Sequence, residues 1–241
     1  MTIGLVAEGT DWLAVDKPAH LLVHPTKPGG PVTLLDHLRR LLAYELACGG
    51  QVSLVHRLDR ETSGLTLVAK TAPAARRLSL ELARGRVRKE YLALVRGWPA
   101  WERATLDAPL LRQGTRRPSA IWLKQTVHPE GAPARTGFEV VRRDVRAEDG
   151  ERWSLVRAVP ATGRTHQIRV HLAHLGHPVV GDKIYGPDEG CYLRFIETGW
   201  TPELARALWL DRHALHAHRL TFDPGDGPRT LEAPLPPELA W

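Results

Sequence analysis

The chain of 241 residues is poor in sulfur: it holds two cysteines, Cys48 and Cys191, and one methionine. Two cysteines cannot staple a chain of this length, and they lack the paired spacing of a thiolate zinc site, so both are expected to be reduced thiols. No apolar run approaches the ~18 residues of a membrane span, and no basic segment followed by an apolar signal core opens the sequence. Membrane spanning and export are therefore disfavoured, and a cytoplasmic protein is expected. Internal repeats and Ser/Gly-rich linkers are also missing, which argues against a solenoid or a string of tethered modules. The remaining composition is that of a folded domain: 43% hydrophobic and 25% charged residues leave neither disorder nor a fibrous repeat as an option.

Lysine is scarce as well. Lys and Arg total 33 against 27 for Asp and Glu, a formal charge of +6, and all but six of the basic residues are arginine. The planar guanidinium fork suits phosphates and base edges, although a GC-rich genome would produce the same bias. Composition alone makes nucleic acid a plausible partner and no more.

Residues 13–15 and 21–23 read as short strands around Pro18, and Thr33 caps a helix whose leucines at 34, 35, 38, 41 and 42 recur at helical spacing up to Gly49-Gly50. Residues 52–58 alternate like a strand, 59–63 are polar, and 64–69 resume an extended apolar pattern. Thr71 caps a second helix that Gly85 stops. Strands follow at 91–95 and 153–159, then a helix opened by Thr165, a short one beginning Thr201-Pro202, and a strand at 215–222. Residues 110–135, broken by Pro118, Pro129, Gly131 and Pro133, read as a long irregular excursion. Strands and helices do not alternate regularly, so an α+β fold with a mixed, mainly antiparallel sheet flanked by helices is expected.

The sharpest feature is His56-Arg57-Leu58-Asp59-Arg60-Glu61-Thr62-Ser63, a polar stretch between two strand-like segments. Read from spacing alone, it is equally a charged surface turn. Its mixture of a short carboxylate, two arginines and two hydroxyls is one that could hold Asp59 ionised, and an ionised, positioned aspartate is a usable nucleophile.

Residues 56–59 with Thr62-Ser63-Gly64-Leu65 resemble the signature of the RluA-type pseudouridine synthases. Three further motifs occur in the same order: Leu13-Ala14-Val15-Asp16-Lys17-Pro18 with Leu22-Val23-His24-Pro25, the stretch from Lys89-Glu90-Tyr91 to Arg96-Gly97, and Thr162-Gly163-Arg164-Thr165-His166-Gln167-Ile168-Arg169 continued by Gly181-Asp182. Residues 215–217 and 232–235 also look like the family's closing strand. The resemblance implies the pseudouridine synthase catalytic fold over residues 1–241, with no separate N-terminal RNA-binding domain. It implies an isomerase acting on uridines of rRNA or tRNA, presented in a stem-loop, without metal or cofactor, and a monomer. Asp59 becomes the catalytic aspartate, Tyr91 the active-site tyrosine and Arg169 the basic partner of the aspartate. His56, Arg57, Thr62, Arg164, His166 and Gln167 become substrate-binding residues.

These roles suit the chemistry. Breaking the N1 glycosidic bond, turning the uracil and rejoining it through C5 needs a carboxylate, a cation to keep it ionised and an aromatic face for the detached ring. Attack on the sugar, attack on the base and assisted elimination all remain open to Asp59. Arg57 is a candidate to fill the gap left by an extruded nucleotide, or else a structural ion pair. Arg76, Arg77, Arg84, Arg86, Arg88 and Lys89 form the densest basic cluster. Such a run is usually a solvated face, but beside the tyrosine strand Arg84, Arg86, Arg88 and Lys89 are expected to touch phosphates.

Two other readings stand beside this one: an inactive RNA-binding protein on the same fold, and a glycoside hydrolase, which would need a second carboxylate that only Glu61 offers nearby. Zinc is disfavoured at His166, His171, His174 and His177, because no cysteine or acidic residue completes a familiar ligand spacing. The eight tryptophans show no repeat or clustering and are expected in the core or at its rim.

Overall fold

The computed structural model describes residues 3–240. They form two compact units, residues 3–90 with 216–240 and residues 91–215. In chain order the first unit holds β1 (Gly4–Glu8), β2 (Trp12–Lys17), α1 (Leu34–Leu41), α2 (Ala43–Ala47), β3 (Ser53–Leu54), β4 (Ser63–Ala69) and α3 (Ala72–Ala83). The chain enters the second unit within β5 (Arg88–Arg96). It continues through β6 (Arg103–Asp107), β7 (Leu110–Arg112), β8 (Gln125–Val127), β9 (Arg135–Val145), β10 (Arg152–Pro160), α4 (Gln167–His174), α5 (Gly190–Thr198) and α6 (Pro202–Leu208). It returns within β11 (Leu215–Phe222) and ends with β12 (Arg229–Glu232).

The expected α+β class holds. In the first unit β4 is central and buried along all seven residues, which its near-continuous apolar sequence permits. One edge pairs antiparallel with β2, and the other is shared by β3 and, in the sole parallel pairing described, by β11 through His216↔Ser63 and Ala217↔Gly64. Trp12, Leu65, Leu67 and Phe222 meet Ala74 and Leu78 of α3 in one core, with Trp12 edge-on to Phe222 at 5.0 Å. In the second unit β5, β10, β9 and β6 form an antiparallel run. Beside it, Leu110, Ile121, Ala134, Val170, Ile184 and Tyr185 make a smaller core.

Four expectations change. Residues 21–23 are no strand: the carbonyls of Leu22 and Val23 instead accept the N–H groups of Leu34 and Leu35, donors that the first turn of α1 cannot satisfy internally. Residues 52–58 keep only the two strand residues of β3. The excursion at 110–135 is folded, since β7 and β8 pair antiparallel and Ile121 between them is buried. Thr33, with Asp36 completing a capping box, and Thr71 do cap their helices, whereas α4 starts after His166 rather than at Thr165.

Gly64 decides how closely β11 can approach β4. Its φ is +111°, and a Cβ there would lie 2.3 Å from the Ala217 carbonyl oxygen, whereas Gly49 has φ +84° and open space around it. Gly64→Ala is expected to cost about 3 kcal/mol or more, combining a left-handed backbone with overpacking, and Gly49→Ala only about 1 kcal/mol. Urea unfolding of both variants tests this; equal losses would mean that the contact with Ala217 relaxes at no cost.

Candidate active site

Asp59 lies in the loop between β3 and β4. Val55 and Leu58 turn into the core while Arg57 and Arg60 stay exposed, leaving Asp59 half-buried. The Thr62 N–H donates to the Asp59 carbonyl at 3.2 Å, closing a tight turn, and Thr62 itself is buried. The wholly buried ammonium of Lys17 then ties this turn to its neighbour. Its Nζ donates to the carbonyls of Pro18 at 2.8 Å, Leu21 at 3.0 Å and Arg60 at 3.1 Å. The role of Lys17 is not visible in its motif, because a buried lysine and an exposed one look alike in a string.

His56 is half-buried, with its ring nitrogens turned inward. Its Nε2 accepts the Leu67 N–H at 3.3 Å, which assigns the proton of the neutral ring to Nδ1, an atom that is buried and unpartnered among the described residues. Burial, with the charge of Lys89 adding to it, pushes the imidazole pKa down to about 3. Lys89 is half-buried, its pKa lowered by desolvation, and no carboxylate among the described residues pairs with it. It therefore differs from the exposed arginines with which it was grouped. His24 is also biased toward neutrality, by burial first and then by the charge of Arg57.

Those arginines are partly neutralised. Arg86 grips Glu81 through two bonds of 2.5 Å, with Arg84 3.8 Å from the same carboxylate. Arg88 lies 3.2 Å from Glu90, and Arg77 is bound to Asp11. Arg84, Arg86 and Arg88 remain more than half exposed, so the pairs are screened and exchangeable.

Tyr91 and Arg169 belong to the second unit. Tyr91 is buried on β5 opposite Ala158 of β10. Arg169 is buried on α4 and grips Asp182, with Nε to Oδ2 at 2.6 Å and Nη2 to Oδ1 at 2.9 Å. Oδ1 also accepts the N–H groups of Ile184 and Tyr185. Burial raises the Asp182 pKa, but the charge and hydrogen bonds of Arg169 outweigh it and hold the carboxyl well below the usual range. The role of Asp182 carries no signal in the sequence, since a partner thirteen residues away leaves no trace in local spacing.

Gln167 has a structural role. Its Oε1 accepts from Thr162 Oγ1 at 2.8 Å and the Arg164 N–H at 3.0 Å, while Nε2 donates to the Arg135 carbonyl and Thr136 Oγ1 at 3.0 Å each. With two bonds accepted and two donated, the amide holds the turn before α4 instead of offering itself to a ligand. His166 sits left-handed at φ +56°, its Nδ1 2.8 Å from the Tyr185 hydroxyl, which accepts the Gln125 N–H. Arg164 is exposed and donates through Nε to the Pro133 carbonyl. His171 spends Nδ1 on Thr136 and Nε2 on the Ala108 carbonyl, so it offers no ligand atom to a metal.

Residues 11–174 match the family model described as RNA pseudouridylate synthase, and the chain belongs to this RluA-type family. It is 40% identical over 228 residues to an uncharacterized RNA pseudouridine synthase of Chloroflexus aurantiacus, covering 93% of this chain and 63% of that protein. It is 37% identical over 247 residues to ribosomal large subunit pseudouridine synthase D of Shigella flexneri, covering 98% and 68%. The chain thus spans about two thirds of the length of these relatives. The structure of human RNA pseudouridylate synthase domain containing 1 superposes with a TM-score of 0.74 at 28% identity, covering 99% of this chain and 86% of that one. Proteins named pseudouridine synthases are isomerases.

The neutral state of His56 has a measurable consequence. Its folded pKa of about 3 lies below the ordinary 6.5, so between these values the unfolded chain binds the extra proton. The stability carried by the neutral ring is complete above about pH 6.5 and is lost as the pH falls toward 3. Glutamine at this position keeps an acceptor for the Leu67 N–H but does not titrate. Urea unfolding at pH 7, 6 and 5 is expected to show the wild type losing stability relative to His56→Gln by up to ~1.4 kcal/mol per pH unit below pH 6. Parallel pH dependences of the two proteins would remove His56 from the acid response.

Proposed function

We propose that the chain isomerises uridine to pseudouridine in RNA with Asp59 as its catalytic carboxylate. The observation that carries the reading is the form of the loop: Asp59 is half-buried, in a turn closed by Thr62 and held from below by Lys17, where a solvated surface turn would need neither. In this proposal Asp59 acts on the nucleoside while the bond between uracil N1 and ribose C1′ breaks and C1′ is rejoined to C5, C5 giving up its proton and N1 taking one up. Tyr91 supplies the ring against which uracil turns. Arg169 is proposed as the cation that keeps the aspartate ionised. Asp182 is a positioning residue, because a guanidinium gripped at two nitrogens cannot rotate away.

Arg57, exposed beside Asp59, is proposed to occupy the space vacated by the flipped nucleotide, with His56 and Thr62 lining the same loop. Arg164 and His166 are proposed as substrate contacts of the second unit. The family match runs through both units, which supports one catalytic domain rather than two independent ones. The name of the Shigella relative favours ribosomal RNA over transfer RNA as the substrate. We infer a cytoplasmic monomer; no metal or organic cofactor is needed, since side chains suffice for an isomerisation that consumes no water and involves no net redox change.

Asp59→Asn preserves shape and removes the carboxylate. It is expected to lower single-turnover conversion by at least about a thousandfold and to leave RNA affinity within a few fold. Residual turnover near wild type would exclude Asp59 from the mechanism. By contrast, changing Arg84, Arg86 and Arg88 together to alanine is expected to weaken binding of many RNAs alike and to reduce the slope of log affinity against log salt by about two. An unchanged slope would identify the group as a solvated helix end.

A further inference from the structure

The hairpin of β7 and β8 holds a tryptophan in a position that folding alone does not explain. Lys124 N–H donates to the Ile121 carbonyl at 3.1 Å, closing a turn that has Trp122 and Leu123 at its corners. Ile121 before the turn is buried in the core with Val170 and Tyr185, whereas Trp122 is 73% exposed and Leu123 53%. Among the described residues no other tryptophan is as open; Trp98, at 40%, is also tied through its indole N–H to the Asp144 carbonyl. An exposed indole gains nothing from the hydrophobic effect in the free protein.

The turn is nonetheless held firmly. Gln113 N–H donates to the Lys124 carbonyl at 2.8 Å, Gln125 N–H to the Tyr185 hydroxyl at 2.8 Å, and Ser119 Oγ to the Ile121 carbonyl at 3.0 Å. The Arg112 guanidinium lies over the Trp122 ring at 3.6 Å, occupying one face and leaving the other to solvent. Neither Arg112 nor Arg117, which binds Gln113 Oε1, has a carboxylate partner among the described residues. Arg164, on the Pro133 carbonyl next to the same small core, has none either.

We propose that Trp122 is a stacking platform for an unpaired base of the RNA, received on the ring face opposite Arg112 while Arg112 and Arg117 meet the flanking phosphates. The inference rests on RNA being the substrate, as proposed above. Every base offers a π face, so an indole already backed by a cation binds single strands with little sequence preference and excludes duplex, whose bases are stacked on each other. The surrounding unneutralised cations favour a polyanion over the apolar rim of a protein partner. The platform would select RNA with an unpaired nucleotide at a fixed distance from the target, a recognition task separate from the chemistry at Asp59.

The test compares Trp122→Ala, Trp122→Phe and wild type for binding to a dodecamer of oligouridylate and to a blunt RNA duplex of equal length. Trp122→Ala is expected to bind the single strand about tenfold more weakly and the duplex within about twofold of wild type, and Trp122→Phe to recover most of the loss. Its salt slope should match wild type, since no charge is removed. Equal losses on both probes, or none, would overturn the platform. So would unchanged RNA affinity in a variant that loses a concentration-dependent dimer, which would assign the turn to a second copy of the chain. Failure of the wild type to bind either probe would instead undercut the RNA reading itself, while wild-type binding with an indifferent Trp122→Ala refutes only the platform.

Discussion

The buried ammonium of Lys17 ties separate loops of the first unit together. An alkylammonium taken out of water costs several kcal/mol unless each of its N–H groups finds an acceptor. Here the carbonyls of Pro18, Leu21 and Arg60 provide them, at 2.8 to 3.1 Å. Two of these carbonyls belong to the loop after β2 and one to the turn that carries Asp59, so the charge can be buried only if the two loops hold their places. The loop after β2 in turn supplies the carbonyls that receive the first N–H groups of α1. A single cation thereby joins the aspartate turn, the neighbouring loop and a helix start into one arrangement.

The second unit uses the same physics with a pair. Arg169 and Asp182 are both buried, and either charge alone would be strongly destabilising there. Their two mutual bonds and the two backbone N–H groups on Asp182 Oδ1 hold the guanidinium in one orientation. Gln167 does for the preceding turn what Lys17 does for the aspartate loop, filling its four bonds with partners from β9 and the turn itself. Rigid support of this kind suits a reaction whose proposed groups must stay put while a detached base turns among them.

Charge at the surface follows a different rule. Arg84, Arg86 and Arg88 share Glu81 and Glu90, so the net field of that group is smaller than its sequence implies. Arg112 and Arg117 pair with no carboxylate among the described residues and stand near an open indole. A tally of basic residues ranks the first group higher; pairing reverses the order.

Much of this was legible beforehand for physical reasons. Helix caps at Thr33, Thr71 and Thr201 depend on hydroxyls within four residues of their targets, and the apolar run of β4 reflects burial that is written directly into residue type. The four ordered motifs were readable for the same reason, being local strings, and they identified the family and Asp59 as a candidate. Short-range patterns carry short-range interactions. Strands β1, β6 and β9 leave no such signal, being half-exposed and weakly patterned, defined by the partners they find. Tertiary structure alone decided that Lys17 is buried, that Asp182 grips Arg169, that Gln167 is saturated and that Trp122 is open, since each depends on which backbone and solvent surround a side chain after distant segments meet.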